Sequence, residues 1–111
     1  MLFYVQMKWN YQGRLSQLDL MKMEATEGAH GIEGLRSGVV KGLYKVASQH
    51  RVIAIVDVPD AAALDDNSMF ALPMREYLEF EVVWALRDYE EFIHAVDQMV
   101  DKETATKITR S

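Results

Sequence analysis

The sequence contains no cysteine. That excludes disulfides, thiolate metal ligands and cysteine nucleophiles, and it suits a reducing compartment, so a cytoplasmic location is expected. Proline is scarce, with 2 residues, Pro59 and Pro73, each at the edge of an expected element. No apolar run approaches the ~20 residues of a membrane-spanning helix. The N-terminal stretch alternates and already carries Lys8, so it does not read as a signal peptide. Basic clusters are missing as well. Lys and Arg total 12 against 17 Asp and Glu, a net charge of −5, which argues against a nucleic-acid partner. There is no glycine-rich phosphate loop and no nucleophile elbow. His30, His50 and His94 lie on different expected elements without ligand spacing, so no metal site is expected.

What remains is a chain of 111 residues, half of them hydrophobic (50%), enough for one small core. Leu2 to Trp9 alternates like a strand, with Phe3, Val5, Met7 and Trp9 on one face and Leu2, Tyr4, Gln6 and Lys8 on the other. A long helix is expected from the cap at Ser16 to Ser37, stopped by Gly38. Val39 to Ser48 and Val52 to Val58 read as strands, with Val40 and Gly42 opposite Lys41, Leu43 and Lys45 in the first. Pro59-Asp60 opens a second helix, Ala61 to about Ala71, and Leu72-Pro73 ends it. Tyr77 to Leu86 is the last strand, its Leu78, Phe80, Val82, Trp84 and Leu86 assigned to one face. Asp88 caps a final helix to about Val100, and 101–111 reads as a polar tail.

The order is β-α-β-β-α-β followed by an extra helix. It predicts an α+β, ferredoxin-like single domain, with residues 1–86 as its core. One layer of helices covers only one face of the sheet. The other face carries large apolar residues, which predicts a sheet-to-sheet homodimer of the dimeric α/β-barrel type.

The first helix concentrates the proton-transfer chemistry. Leu18, Met21, Ala25, Ala29, Ile32 and Leu35 form one stripe. Leu20, Met23, Glu27, Gly31 and Gly34 form a second, with His30 beside it. Two stripes predict that one meets the sheet and the other a second subunit. If the Glu27 stripe faces inward, desolvation raises the pKa of its carboxyl and makes it an acid/base near neutral pH. His30 and Glu24, three residues to either side, are then its neighbours. If that stripe faces outward, the same residues are a solvated face. Gly28, Gly31 and Gly34 cost ~1 kcal/mol each relative to alanine, and the expected reasons are close packing or space for a ligand.

Several segments resemble the muconolactone isomerase family. Met1-Leu2-Phe3-Tyr4-Val5-Gln6-Met7 is similar to its first strand and Leu43-Tyr44-Lys45-Val46-Ala47 to its aromatic-basic second strand. Val56-Asp57-Val58-Pro59, Ala63-Leu64, Leu72-Pro73 and Tyr77 with Glu81-Val82 fit the rest, so that residues 1 to 86 are covered. The resemblance implies a ferredoxin-like subunit, sheet-to-sheet dimers within a decameric ring, no metal and no organic cofactor. It implies isomerisation of a small unsaturated lactone by proton transfer, or elimination of chloride from the same kind of site. The family's helical acidic residue falls on Glu27. His30 and Tyr4 become assisting residues, and Lys45, Tyr44, Met23 and Tyr77 substrate-binding ones. The second strand departs from the family, with Val39-Val40-Lys41-Gly42 in place of Trp- and Arg-rich sequence, so a different substrate is expected. Two other activities suit the same subunit: a cofactor-free monooxygenase or cyclase of polyketide-type aromatics, and a non-enzymatic subunit that binds a small ligand.

Overall fold

A computed structural model describes residues 1–110, with side chains described through residue 106. Its elements are β1 (Leu2–Trp9), α1 (Gln17–Ser37), β2 (Val40–Lys45), β3 (Arg51–Asp57), α2 (Ala61–Asp66), a π-helical turn (Asn67–Ala71), β4 (Leu78–Leu86) and α3 (Tyr89–Arg110). The sheet has 4 strands in the order β2-β3-β1-β4. Every neighbouring pair is antiparallel. This is the ferredoxin-like α+β arrangement expected from the element order, with the extra helix at its end.

α1 is set by its two ends. The Ser16 hydroxyl accepts the Asp19 N–H at 3.1 Å, and Gly38 takes φ 85° while its N–H bonds the Leu35 carbonyl. Between them the Glu27 stripe meets the sheet. Leu20 is wholly buried, whereas Leu18, Met21, Ile32 and Leu35 on the other stripe are exposed. The approach of α1 to β2 is close. A Cβ on Gly31 would lie 2.8 Å from Leu43 Cδ2, and one on Gly34 only 2.7 Å from Val40 Cγ2. Two of the three helical glycines are therefore packing residues.

Two bulges correct the expected strand faces. Val40 pairs with Val56 but Gly42 with Ile55, which leaves Lys41 unpaired. Val40, Leu43 and Lys45 thus share the helix side, and Gly42 goes to the other. On β4, Val82 pairs with Gln6 and Phe80 with Met7, which leaves Glu81 unpaired. Leu78 and Phe80 face the helices, while Val82, Trp84 and Leu86 fall on the outer face. One extra residue reverses the side-chain alternation beyond it, so apolar spacing alone could not give the right split.

The core is small: Phe3, Val5, Leu20, Ala54 and Met74. The outer face is built on a Tyr4–Trp84 stack, centroids 5.3 Å apart, and a bidentate Arg51–Glu81 pair at 2.8 and 3.1 Å. Trp84 is 60% exposed there.

Other boundaries differ modestly. β2 stops at Lys45 rather than Ser48, because Ser48 turns the chain at φ 62°. Tyr77 precedes β4 instead of opening it. The larger correction is α3, which continues past Val100 to Arg110 where a polar tail was expected. That stretch has no glycine or proline to stop it, and Lys102, Glu103 and Ala105 favour helix. α3 is capped by Asp88, whose carboxylate accepts the Glu91 N–H at 3.0 Å. Among the described residues no other element packs against it, and the molecule extends 73 Å along one axis against 27 and 24 Å across the others.

Candidate active site

The site lies between the helix side of the sheet and the inner face of α1. A cavity of about 570 Å³ opens there. Val5, Met7 and Trp9 of β1 and Ala54 and Val56 of β3 form part of its floor, and Leu78 and Phe80 of β4 one flank. Glu24, Glu27, Gly28, His30, Gly31 and Gly34 line it from α1. Asn67 and Ser68 reach it from the π-helical turn. Gly28 is the third glycine, and a Cβ there would meet nothing within 4 Å. It leaves space where Gly31 and Gly34 provide contact.

Glu27 is half-buried, and its Oε2 accepts the backbone N–H of Met74 at 3.0 Å. Met74 is itself wholly buried, which fixes the donor. The other oxygen, Oε1, has no protein partner among the described residues. Burial pushes the carboxyl pKa above its ordinary value; the Met74 N–H and the charge of nearby His30 pull it partway back. A carboxyl with one anchored oxygen and one free oxygen, its pKa raised by burial, suits the taking and returning of a proton.

The other expected site residues divide. His30 lines the cavity, though exposed to solvent. Lys45 lines it from β2, and its ammonium donates to the Val46 carbonyl at 2.9 Å. Tyr44 borders the cavity, but its ring lies beside Gly42 on the outer face, because the bulge at Lys41 sends Leu43 and Lys45 inward and Tyr44 outward. No carboxylate pairs with Lys45 among the described residues, so its charge is available to an anionic ligand. Met23 is not part of the lining. Tyr77 is also outside it, its ring beneath the Arg14 guanidinium at 4.4 Å from the centroid. Tyr4 lies on the opposite face of the sheet, where its hydroxyl donates to Gln6 Oε1 at 2.9 Å. The strand alternation that sends Val5 toward α1 sends Tyr4 away, so Tyr4 and Glu27 do not meet within one subunit.

Three features were not singled out from sequence. The Met74 N–H is a backbone donor, and no side-chain pattern marks it. Ser68 is 95% buried, at 5% exposure, because α2 continues into a π turn that rotates it inward. Strand alternation places Trp9 on the β1 face with Val5 and Met7 but gives it no role in the site; its indole N–H is buried without a hydrogen-bond partner among the described residues. Among the described residues, no three His, Cys, Asp or Glu side chains gather as a metal site, and no helix is long and apolar enough to cross a membrane.

The chain thus combines a ferredoxin-like sheet with a carboxyl, Glu27, held over a largely apolar cavity. The family model for muconolactone delta-isomerase matches residues 1–91, and the chain belongs to that family. Its fold is similar to the crystal structure of muconolactone isomerase at 3.3 Å resolution, with a TM-score of 0.69 and 27% identity over 80% of this chain and 91% of the other. No curated protein sequence matches the chain closely enough to count as a relative. Most of α3 lies beyond the matched family region.

Proposed function

We propose that the protein is a cofactor-independent isomerase that shifts a proton on a small cyclic unsaturated lactone or a related compound of aromatic catabolism. The observation that carries this reading is Glu27: half-buried at the wall of an apolar cavity, with Oε2 tied to Met74 and Oε1 free. Family membership supports the reaction class.

In this reading the Glu27 carboxylate takes the proton from a carbon next to the lactone carbonyl. The C–H electron pair moves into the ring as an enolate, and the carbonyl oxygen gains negative charge. The Glu27 O–H then returns the proton to a different carbon, which relocates the double bond. Nothing is oxidised or reduced. His30, at the cavity edge, stabilises the developing enolate by charge or hydrogen bonding. Lys45 draws in a substrate carboxylate. The apolar floor keeps water from the intermediate and keeps Glu27 basic enough to act.

The active form in this reading is a cytoplasmic homodimer packed sheet to sheet, the unit from which the family's decameric ring is assembled. The exposed Tyr4–Trp84 stack supports that interface. Turnover of a panel of unsaturated lactones by wild type and Glu27→Gln tests the reaction. A loss of ~10²–10⁴-fold is expected for removal of the acid/base group. Undiminished turnover by the variant would remove Glu27 from the chemistry.

A further inference from the structure

Ser68 is a polar residue that the fold buries without using. It is 5% exposed, and it lines the cavity that Glu27 overlooks. Its hydroxyl makes no hydrogen bond among the described residues, whereas Thr26, Ser37 and Thr106 back-bond to a carbonyl of their own helix. The residue is buried, yet its hydroxyl oxygen is not among the fully enclosed polar atoms that lack a partner, so its open side is the cavity. A hydroxyl that opens to the cavity with no protein partner is free to bond a ligand there.

The backbone around Ser68 points the same way. α2 runs regularly from the Asp60 cap, then widens into the π-helical turn Asn67–Ala71. Such turns are rare and are frequent at functional sites, because the added residue re-aims the side chains that follow. Here Met69 and Phe70 are exposed, while Ser68 is turned into the cavity wall. The chain then reaches Met74, whose N–H anchors Glu27. One short segment, residues 67–74, thus presents a free hydroxyl to the cavity and fixes the acid/base group.

We propose that Ser68 is a ligand-binding residue that donates its hydroxyl hydrogen bond to the carbonyl oxygen of a cyclic lactone, and that it selects such ligands over ring compounds of the same shape lacking the carbonyl. The inference rests on the reading of the cavity as a small-lactone site. It adds a hydroxyl donor to the part of the wall formed by the π-helical turn. A donor on that oxygen also favours the enolate, since negative charge collects there when Glu27 removes the proton.

Coumarin and 2H-chromene make a suitable pair of probes, sharing a bicyclic shape while only coumarin carries the carbonyl. Calorimetric titration of wild type, Ser68→Ala and Ser68→Cys with each gives the preference directly. Wild type is expected to favour coumarin by roughly threefold to tenfold, the worth of one hydrogen bond. Ser68→Ala is expected to erase the preference and leave chromene affinity unchanged, with Ser68→Cys in between. The thermal midpoint of Ser68→Ala without ligand is expected to equal or exceed that of wild type. A coumarin preference retained in Ser68→Ala would overturn the inference, as would a lowered midpoint, which would reveal a structural partner for the hydroxyl. If coumarin and chromene bind wild type equally, the carbonyl is not recognised and Ser68 loses its role, although the cavity still takes ring compounds. If neither binds wild type, the small-lactone reading fails, and the inference with it.

Discussion

Replacing Gly34 by alanine tests whether α1 is seated on β2 at the distance described. The new Cβ would stand 2.7 Å from Val40 Cγ2 and 3.5 Å from Val40 Cβ, where ordinary carbon contacts begin near 3.5 Å. Val40 cannot easily turn aside, because a β-branched side chain has few χ1 choices and Val40 is paired with Val56. The helix must lift instead, which costs roughly 1–3 kcal/mol for an overpacked site. Alanine also gains ~1 kcal/mol over glycine as a helix former, and this gain obscures a single measurement. Gly28→Ala supplies the control, since its Cβ meets nothing within 4 Å and it receives the same helical gain. The difference between the two variants therefore isolates the overpacking, and Gly28→Ala is expected to be the more stable by ~1–3 kcal/mol. Urea unfolding followed by circular dichroism, at matched protein concentration because association adds to stability, measures it. Equal stability of the two variants would refute the close seating of α1 and the orientation of Glu27 that depends on it.

Other expectations concern Glu27 and the outer face. The folded-state pKa of Glu27 lies above its ordinary 4.5, so the carboxyl favours folding when protonated, and that contribution is lost as pH rises from the ordinary value through the raised one. Glu27→Gln stays uncharged and can still accept the Met74 N–H, so its thermal midpoint relative to wild type is expected to climb as pH rises above 4.5; a flat difference there would show an unburied carboxylate. Trp84→Ala removes the most exposed part of the Tyr4–Trp84 stack and is expected to shift sedimentation toward smaller species, whereas an unchanged profile would exclude the outer sheet face as the dimer contact.

Much of the framework is local and was legible for that reason. Ser16 and Gly38 mark the ends of α1 through side-chain capping and a positive φ, both properties of single residues. Strand order followed from the order of elements. The faces of β2 and β4 were not legible, because Lys41 and Glu81 bulge and a bulge is decided by pairing partners far along the chain. The two stripes of α1 were visible as periodicity, but only packing against β2 shows that the glycine and Glu27 stripe is the inner one. Within the site, Glu27 and His30 could be named because they are titratable side chains on one helix. The Met74 donor belongs to the backbone, and the inward turn of Ser68 belongs to a π turn with no compositional mark. Tyr4 and Tyr77 were grouped with Glu27 by resemblance, and the fold places Tyr4 across the sheet and Tyr77 under Arg14.

Proton transfer by Glu27 is open to direct observation. A β,γ-unsaturated γ-lactone in deuterated buffer, followed by proton NMR, reports loss of the hydrogen next to the carbonyl whether or not the double bond goes on to move. Wild type is expected to accelerate this exchange, with Glu27→Gln slower by at least ~100-fold. Equal exchange rates for the two proteins would contradict Glu27 as the group that carries the proton.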